Sequence, residues 1–98
     1  MSNNVFEVAD KSGRKIRLTK TQWAHMIKNH GEIVNYLEEI KETLVHPLKI
    51  IIQQSGELRR YYSYQKNRKH PEKYLRVLVK YLNGDGFVIT SHFVRNLN

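Results

Sequence analysis

Apolar and polar positions alternate at both ends of the chain and fall into helical spacing between them. Val5-Phe6-Glu7-Val8 and Lys15-Ile16-Arg17-Leu18 are short alternating segments around Asp10-Lys11-Ser12-Gly13, which predicts an opening β-hairpin. Thr19 with Gln22 makes a capping-box pair, so a helix is expected to start there. Its apolar stripe runs Trp23, Met26, Ile27 and His30, the spacing of one helix face, and Gly31 offers a left-handed C-cap. A second helix is expected from Glu32 to Val45, with Ile33, Leu37, Ile40 and Leu44 on one stripe. His46-Pro47 stops it, because proline excludes the preceding residue from helical geometry.

Beyond Pro47 the period changes. Leu48 to Ile52 is a β-branched run closed by Ser55-Gly56, and Leu58 to Gln65 is a tyrosine-rich strand. Asn67 to Lys73 reads as a basic loop. Tyr74 to Leu82 alternates, Asn83-Gly84-Asp85-Gly86 is a hairpin turn, and Phe87 to Val94 is the last strand. The expected fold is α+β: an N-terminal hairpin, two helices, then a four-stranded antiparallel sheet with one face packed by the helices and the other free. Leu75, Val77 and Val79 are assigned to the helix side, leaving Arg76 and Lys80 outward. In the last strand Phe87, Ile89, Ser91 and Phe93 form the more apolar set, and Thr90 and His92 share the outward set with Val88 and Val94.

The chain's 98 residues make one domain, spanning residues 1–98, and limit it to a single core layer. The formal net charge is +8, and the stretch from Glu57 to Asn98 holds nine basic and three acidic residues. Charge of one sign gathered on part of a small domain is what a phosphate-binding surface looks like, although a solvated basic surface produces it too. No cysteine is present, which excludes disulfides, thiolate zinc sites and cysteine nucleophiles. The polar N-terminus and the lack of a long apolar run point to a cytoplasmic protein that does not engage a membrane.

Arginine beside tyrosine on an open sheet suits RNA, because guanidinium takes phosphate oxygens and an aromatic ring stacks on an unpaired base. Arg59, Arg60, Tyr62, Arg76, Ser91 and Arg95 are the candidate RNA-binding residues. For each tyrosine, cross-strand packing is the plainer reading. RNA also carries its own nucleophile, the 2′-hydroxyl. Cleavage therefore needs a base, an acid and a cation for the phosphorane, and no metal. His30 and His92 are the candidate acid and base, since imidazole changes charge near neutral pH. Lys80 with an arginine would stabilise the phosphorane, and Thr90 would hold a non-bridging oxygen. His30 also continues the Trp23 stripe, so a partly buried helix-end histidine is the competing reading. His25, His46 and His70 read as surface or capping residues. A histidine metal site is not expected, because His25 and His30 diverge by roughly 140° around a helix. No cofactor fingerprint appears.

Several motifs carry a resemblance: Gln22-Trp23 with His30-Gly31 at the helix end, Ile40-Lys41-Glu42-Thr43-Leu44, His46-Pro47, the Tyr61-Tyr62 strand, Leu78-Val79 leading into Lys80, and Ile89-Thr90-Ser91-His92-Phe93. Together, over about Val5 to Val94, the chain resembles the phage-associated members of the barnase–EndoU–colicin–RelE-like nuclease superfamily. The resemblance implies a metal-independent ribonuclease of the toxin kind, with a helix-end catalytic histidine at His30, a strand lysine at Lys80 and a hydroxyl at Thr90 or Ser91. His92 stands where relatives often carry an aromatic residue, so its role rests on chemistry alone. Related folds include toxins that poison DNA gyrase without cutting, and fold does not settle catalysis.

Two functions therefore stay open. One is an endoribonuclease, the toxin of a toxin–antitoxin pair, acting on tRNA, mRNA or ribosome-bound RNA. The other is a non-catalytic basic nucleic-acid-binding module or gyrase-inhibiting toxin. An immunity or antitoxin role fits poorly with the charge; the expected protein partner is instead an acidic antitoxin or immunity protein covering the open face.

Overall fold

The computed structural model describes residues 3–97, apart from the side chain at position 54. Strands β1 (Asn4–Ala9) and β2 (Lys15–Thr19) form the opening hairpin. Helix α1 (Lys20–Asn29) follows, then a 3-10 turn (Gly31–Tyr36) and helix α2 (Leu37–Val45). Strands β3 (Lys49–Gln53), β4 (Leu58–Tyr64), β5 (Tyr74–Leu82) and β6 (Asp85–Val94) complete the chain. The α+β class and the element order agree with the sequence reading.

The sheet corrects it. There are six strands in one sheet, ordered β1-β2-β6-β5-β4-β3, rather than four with a separate hairpin. The hairpin joins because β2 lies parallel to β6, through Ile16 opposite Gly86 and Arg17 opposite Phe87. Gly86 eases that approach: a methyl group there would stand 3.1 Å from Ile16 on β2 and 3.0 Å from Val79 on β5, and these side chains would have to shift by a few tenths of an ångström. The turn proper is Asn83-Gly84, both at positive φ, with Leu82 opposite Asp85, the geometry that suits a two-residue hairpin.

The helices differ from expectation in detail. Thr19 caps α1 as predicted, its hydroxyl accepting from the Gln22 amide at 3.1 Å. Gly31 does not take the left-handed cap; His30 occupies the cap position with φ −138°, and the chain continues directly into the 3-10 turn. The second predicted helix is therefore α-helical only from Leu37. Ile33, Ile40 and Leu44 are buried from this segment, against Phe6, Ile16, Leu18, Tyr61, Leu75, Val77, Val79, Val88 and Phe93. Burial of whole aliphatic side chains of this kind contributes about 1.5–3 kcal/mol each.

One polar network is built into that core. The Asp10 carboxylate accepts from the Ser12 amide at 2.8 Å, the Ser12 hydroxyl at 2.6 Å, the Arg14 amide at 3.0 Å and the Tyr81 hydroxyl at 2.9 Å. The Tyr81 hydroxyl meets that of Tyr61 at 2.5 Å. Burial alone would raise the Asp10 pKa, but the bonds from Ser12, Tyr81 and Arg14 outweigh it and hold the carboxyl below the usual range. An unfolded aspartate titrates at about 3.9, so the stabilisation is complete above that pH and is lost as pH falls through the lower folded value. Asp10→Ala is expected to cost about 1–3 kcal/mol in urea unfolding at neutral pH, mainly through the deprived Tyr81 hydroxyl. An unchanged midpoint would remove the network from the account of stability.

Candidate functional site

Strand β6 decides which side chains reach the open face. From the turn, Gly86 and Val88 face the core opposite Tyr81 and Val79. A regular ladder would next set Ile89 opposite Leu78 and His92 opposite Leu75, inside the core. The register instead shifts at Ile89, an extra residue in β6, so that Thr90 lies opposite Leu78 and His92 opposite Arg76. The bulge is thus what turns Thr90 and His92 outward. It also corrects the sequence reading of this strand: Val88 is in the core and Phe87 is not, while Ser91 and Phe93 do face inward.

The bulge is held from α1. β2 pairs with β6 only through Gly86 and Phe87, so past them α1 lies against β6. The Gln22 side chain donates to the Ile89 carbonyl at 2.5 Å, where a capping box would have returned it to Thr19. At the other end of α1 the His30 amide donates to Met26 O at 2.8 Å, and His30 O accepts from Ile33 at 3.0 Å. Backbone bonds on both sides fix His30. Its ring stacks on that of His92, centroids 5.4 Å apart and planes 22° apart. The helix-end histidine and the sheet face meet because α1 flanks the strand that carries His92.

Arg76 completes the group, its Nη2 in close contact with His92 Nε2. A guanidinium has donors only, so Nε2 accepts, the imidazole is neutral and its proton is on Nδ1. That Nδ1 is buried with no hydrogen-bond partner. Burial first, then the Arg76 charge and the facing His30, lowers the His92 pKa from its ordinary value. Between this lowered value and the unfolded value of about 6.5, the unfolded chain binds the extra proton, so stability falls as pH drops through that window. His92→Asn is expected to flatten the fall that begins below about pH 6.5 in urea unfolding. An unchanged slope would show that His92 titrates as it does in the unfolded chain.

The other proposed residues divide by face. Lys80 is exposed on the open face, but four residues along β5 from Arg76, roughly 13 Å at 3.3 Å per residue. It does not join the histidines; Arg76, assigned from sequence to RNA binding alone, takes its place. Thr90 sits one row from His92. Arg60 is on the open face opposite Leu78 and Ile51. Tyr62 faces the same way, between Lys49 and Arg76, yet is fully buried, so its ring is not presented to a base. Ser91 is buried on the core side and donates to Arg76 O at 3.1 Å. Arg59 also lies on the core side, opposite Val79, and Arg95 is held by Glu72 at 2.9 Å.

The sequence reading passed over Lys49, exposed at the far end of the Tyr62–Arg76–His92 row; the β3 register would have shown it. On the opposite flank Arg17 is bonded to Glu7 at 3.0 Å and Asp85 at 2.8 Å, whereas Lys49 and Lys80, both exposed, are among the cations that make no ion pair among the described residues. The basic loop is fastened near His30: Arg68, buried, pairs with Glu32 at 2.9 Å and stacks on Phe93 at 3.6 Å. Among the described residues no three His, Asp or Glu side chains gather to hold a metal ion, and no helix is long and apolar enough to cross a membrane.

Comparison with family models, curated proteins and solved structures finds no match to this chain.

Proposed function

We propose that this chain is a metal-independent endoribonuclease. The observation that carries the reading is the stacked pair His30 and His92 beside Arg76, on a sheet face with Lys49 and Lys80 unpaired by acids. In the reaction His92, neutral at pH 7, accepts the proton of a ribose 2′-hydroxyl as its oxygen bonds to the adjacent phosphorus. The P–O5′ bond breaks, and His30 in its protonated form gives a proton to the departing 5′-oxygen. The products are a 2′,3′-cyclic phosphate and a 5′-hydroxyl. Arg76 turns its N–H groups from His92 to the non-bridging oxygens, freeing Nε2 and neutralising the phosphorane. Thr90 holds a second non-bridging oxygen, while Lys49 and Lys80 take phosphates farther along the strand. The chain would act in the cytoplasm as the toxin of a toxin–antitoxin pair, its basic face covered by an acidic partner until release.

One observation favours the non-catalytic alternative, a nucleic-acid-binding or gyrase-inhibiting module. In the free protein neither ring nitrogen of His92 is open to a substrate: Nε2 is engaged by Arg76 and Nδ1 is buried. Incubation with total RNA in excess EDTA separates the two. Fragments ending in 2′,3′-cyclic phosphate establish the nuclease. Intact RNA with salt-sensitive binding, both on naked RNA and with ribosomes present, establishes the module.

A further inference from the structure

Arg59 leaves a cation without an assigned task. It lies on the helix side of the sheet, its guanidinium 4.9 Å from the Tyr81 ring centre, with Arg14 over the same ring at 4.2 Å. Arg14 is paired to Asp10 at 3.4 Å; Arg59 has no acidic partner among the described residues. Its Nε is buried and makes no hydrogen bond. A buried guanidinium N–H without an acceptor is costly, more so than a neutral donor. The group borders a cleft of about 140 Å³ between the β1–β2 turn and β4, lined by Lys11, Ser12, Pro47, Tyr61 and Asp10. The Asp10 carboxylate at the same cleft stays charged, and its repulsion of an anion is offset by the Arg14 guanidinium at 3.4 Å.

We propose that this cleft binds one phosphate group, held by Arg59 and Lys11. The cleft's volume of about 140 Å³ is enough to seat a phosphate group. Arg59 brings its guanidinium charge to the wall of the cleft, where an Nη donor suits a phosphate oxygen, and Lys11, exposed at the mouth, supplies the second charge. The site lies on the opposite face of the sheet from His92, so it does not depend on the nuclease reading. The phosphate is either free or the terminal group of an RNA strand; both have the same oxyanion chemistry.

The full-length ¹⁵N-labelled protein titrated with inorganic phosphate tests this. The expected result is a saturable shift of the Arg59 Nε–H and of the Lys11 and Ser12 amides, with the apparent Kd at these resonances raised roughly tenfold or more by Arg59→Gln. Lys11→Ala, in the exposed turn, should raise the same Kd several-fold and serves if Arg59→Gln does not fold. His30→Ala should leave it unchanged. Parallel titrations with 2′-O-methyl oligonucleotides assign the source: tighter binding of the 5′-phosphorylated strand than of the 5′-hydroxyl strand points to an RNA end, and equal binding to free phosphate. Shifts confined to His30, Arg76 and His92, or a Kd at the cleft indifferent to both substitutions, overturn the proposal.

Discussion

His92→Ala is expected to lower the rate of RNA cleavage by roughly 10²–10⁴-fold, the range that a positioned acid or base contributes. His30→Ala should fall in the same range, and the double variant should lose far less than the product of the two, because both act in one displacement. The two rings are attached to the fold separately. His30 is fixed by backbone bonds at the α1 end, and His92 by the β6 ladder opposite Arg76. Either ring can therefore be removed while the other keeps its place, and the far-ultraviolet spectra of both variants should match the wild type. If His92→Ala cuts at the wild-type rate, the histidine pair is a structural stack.

Phe93→Ala should have the largest effect on stability, about 3–5 kcal/mol in urea unfolding, the usual cost of removing a buried phenyl ring. Phe93 is 7% exposed and packs edge-on against Tyr36 with centroids 4.8 Å apart. It is also the surface on which the buried Arg68 guanidinium rests. Removing it opens a cavity and deprives a buried cation of its stacking partner together, so the basic loop should exchange amide hydrogens faster. Phe93→Leu should recover part of the stability and little of the loop protection. A loss under about 1 kcal/mol would mean that Phe93 is not a core residue in solution.

Local signals in the sequence located most elements. Thr19 begins a helix by capping it, Pro47 ends one by its ring, and Asn83-Gly84 turns the chain through positive φ; each acts within a few residues. What the sequence concealed depends on contacts between distant segments. Ile89 is an apolar residue in an apolar strand, and nothing local marks it as the extra residue that reverses the facing of His92. Gln22 looked like half of a capping box, yet its amide serves a carbonyl 67 residues away. Gly86 reads as part of a turn, yet it is the residue of β6 that lies opposite Ile16 of β2, where a side chain would crowd its neighbours. For the site, histidine as the acid–base residue follows from chemistry, and Lys80 follows from strand alternation and from the nuclease resemblance. Alternation gives the face but not the row, and the row is what brings Arg76 to His92 while leaving Lys80 apart. Tyr62 shows the converse, since a residue on the open face is still buried when its neighbours lie over it.

The most direct measurement compares Arg76→Ala with Lys80→Ala on one RNA substrate under saturating conditions. Arg76→Ala should lose roughly 10²–10³-fold in kcat, as when a charge-stabilising donor is removed. Lys80→Ala should keep kcat and raise KM, with a shallower dependence on salt. A Lys80→Ala protein that no longer cleaves, beside an Arg76→Ala protein that cleaves normally, would contradict the placement of the site at the row of Arg76, His92 and His30.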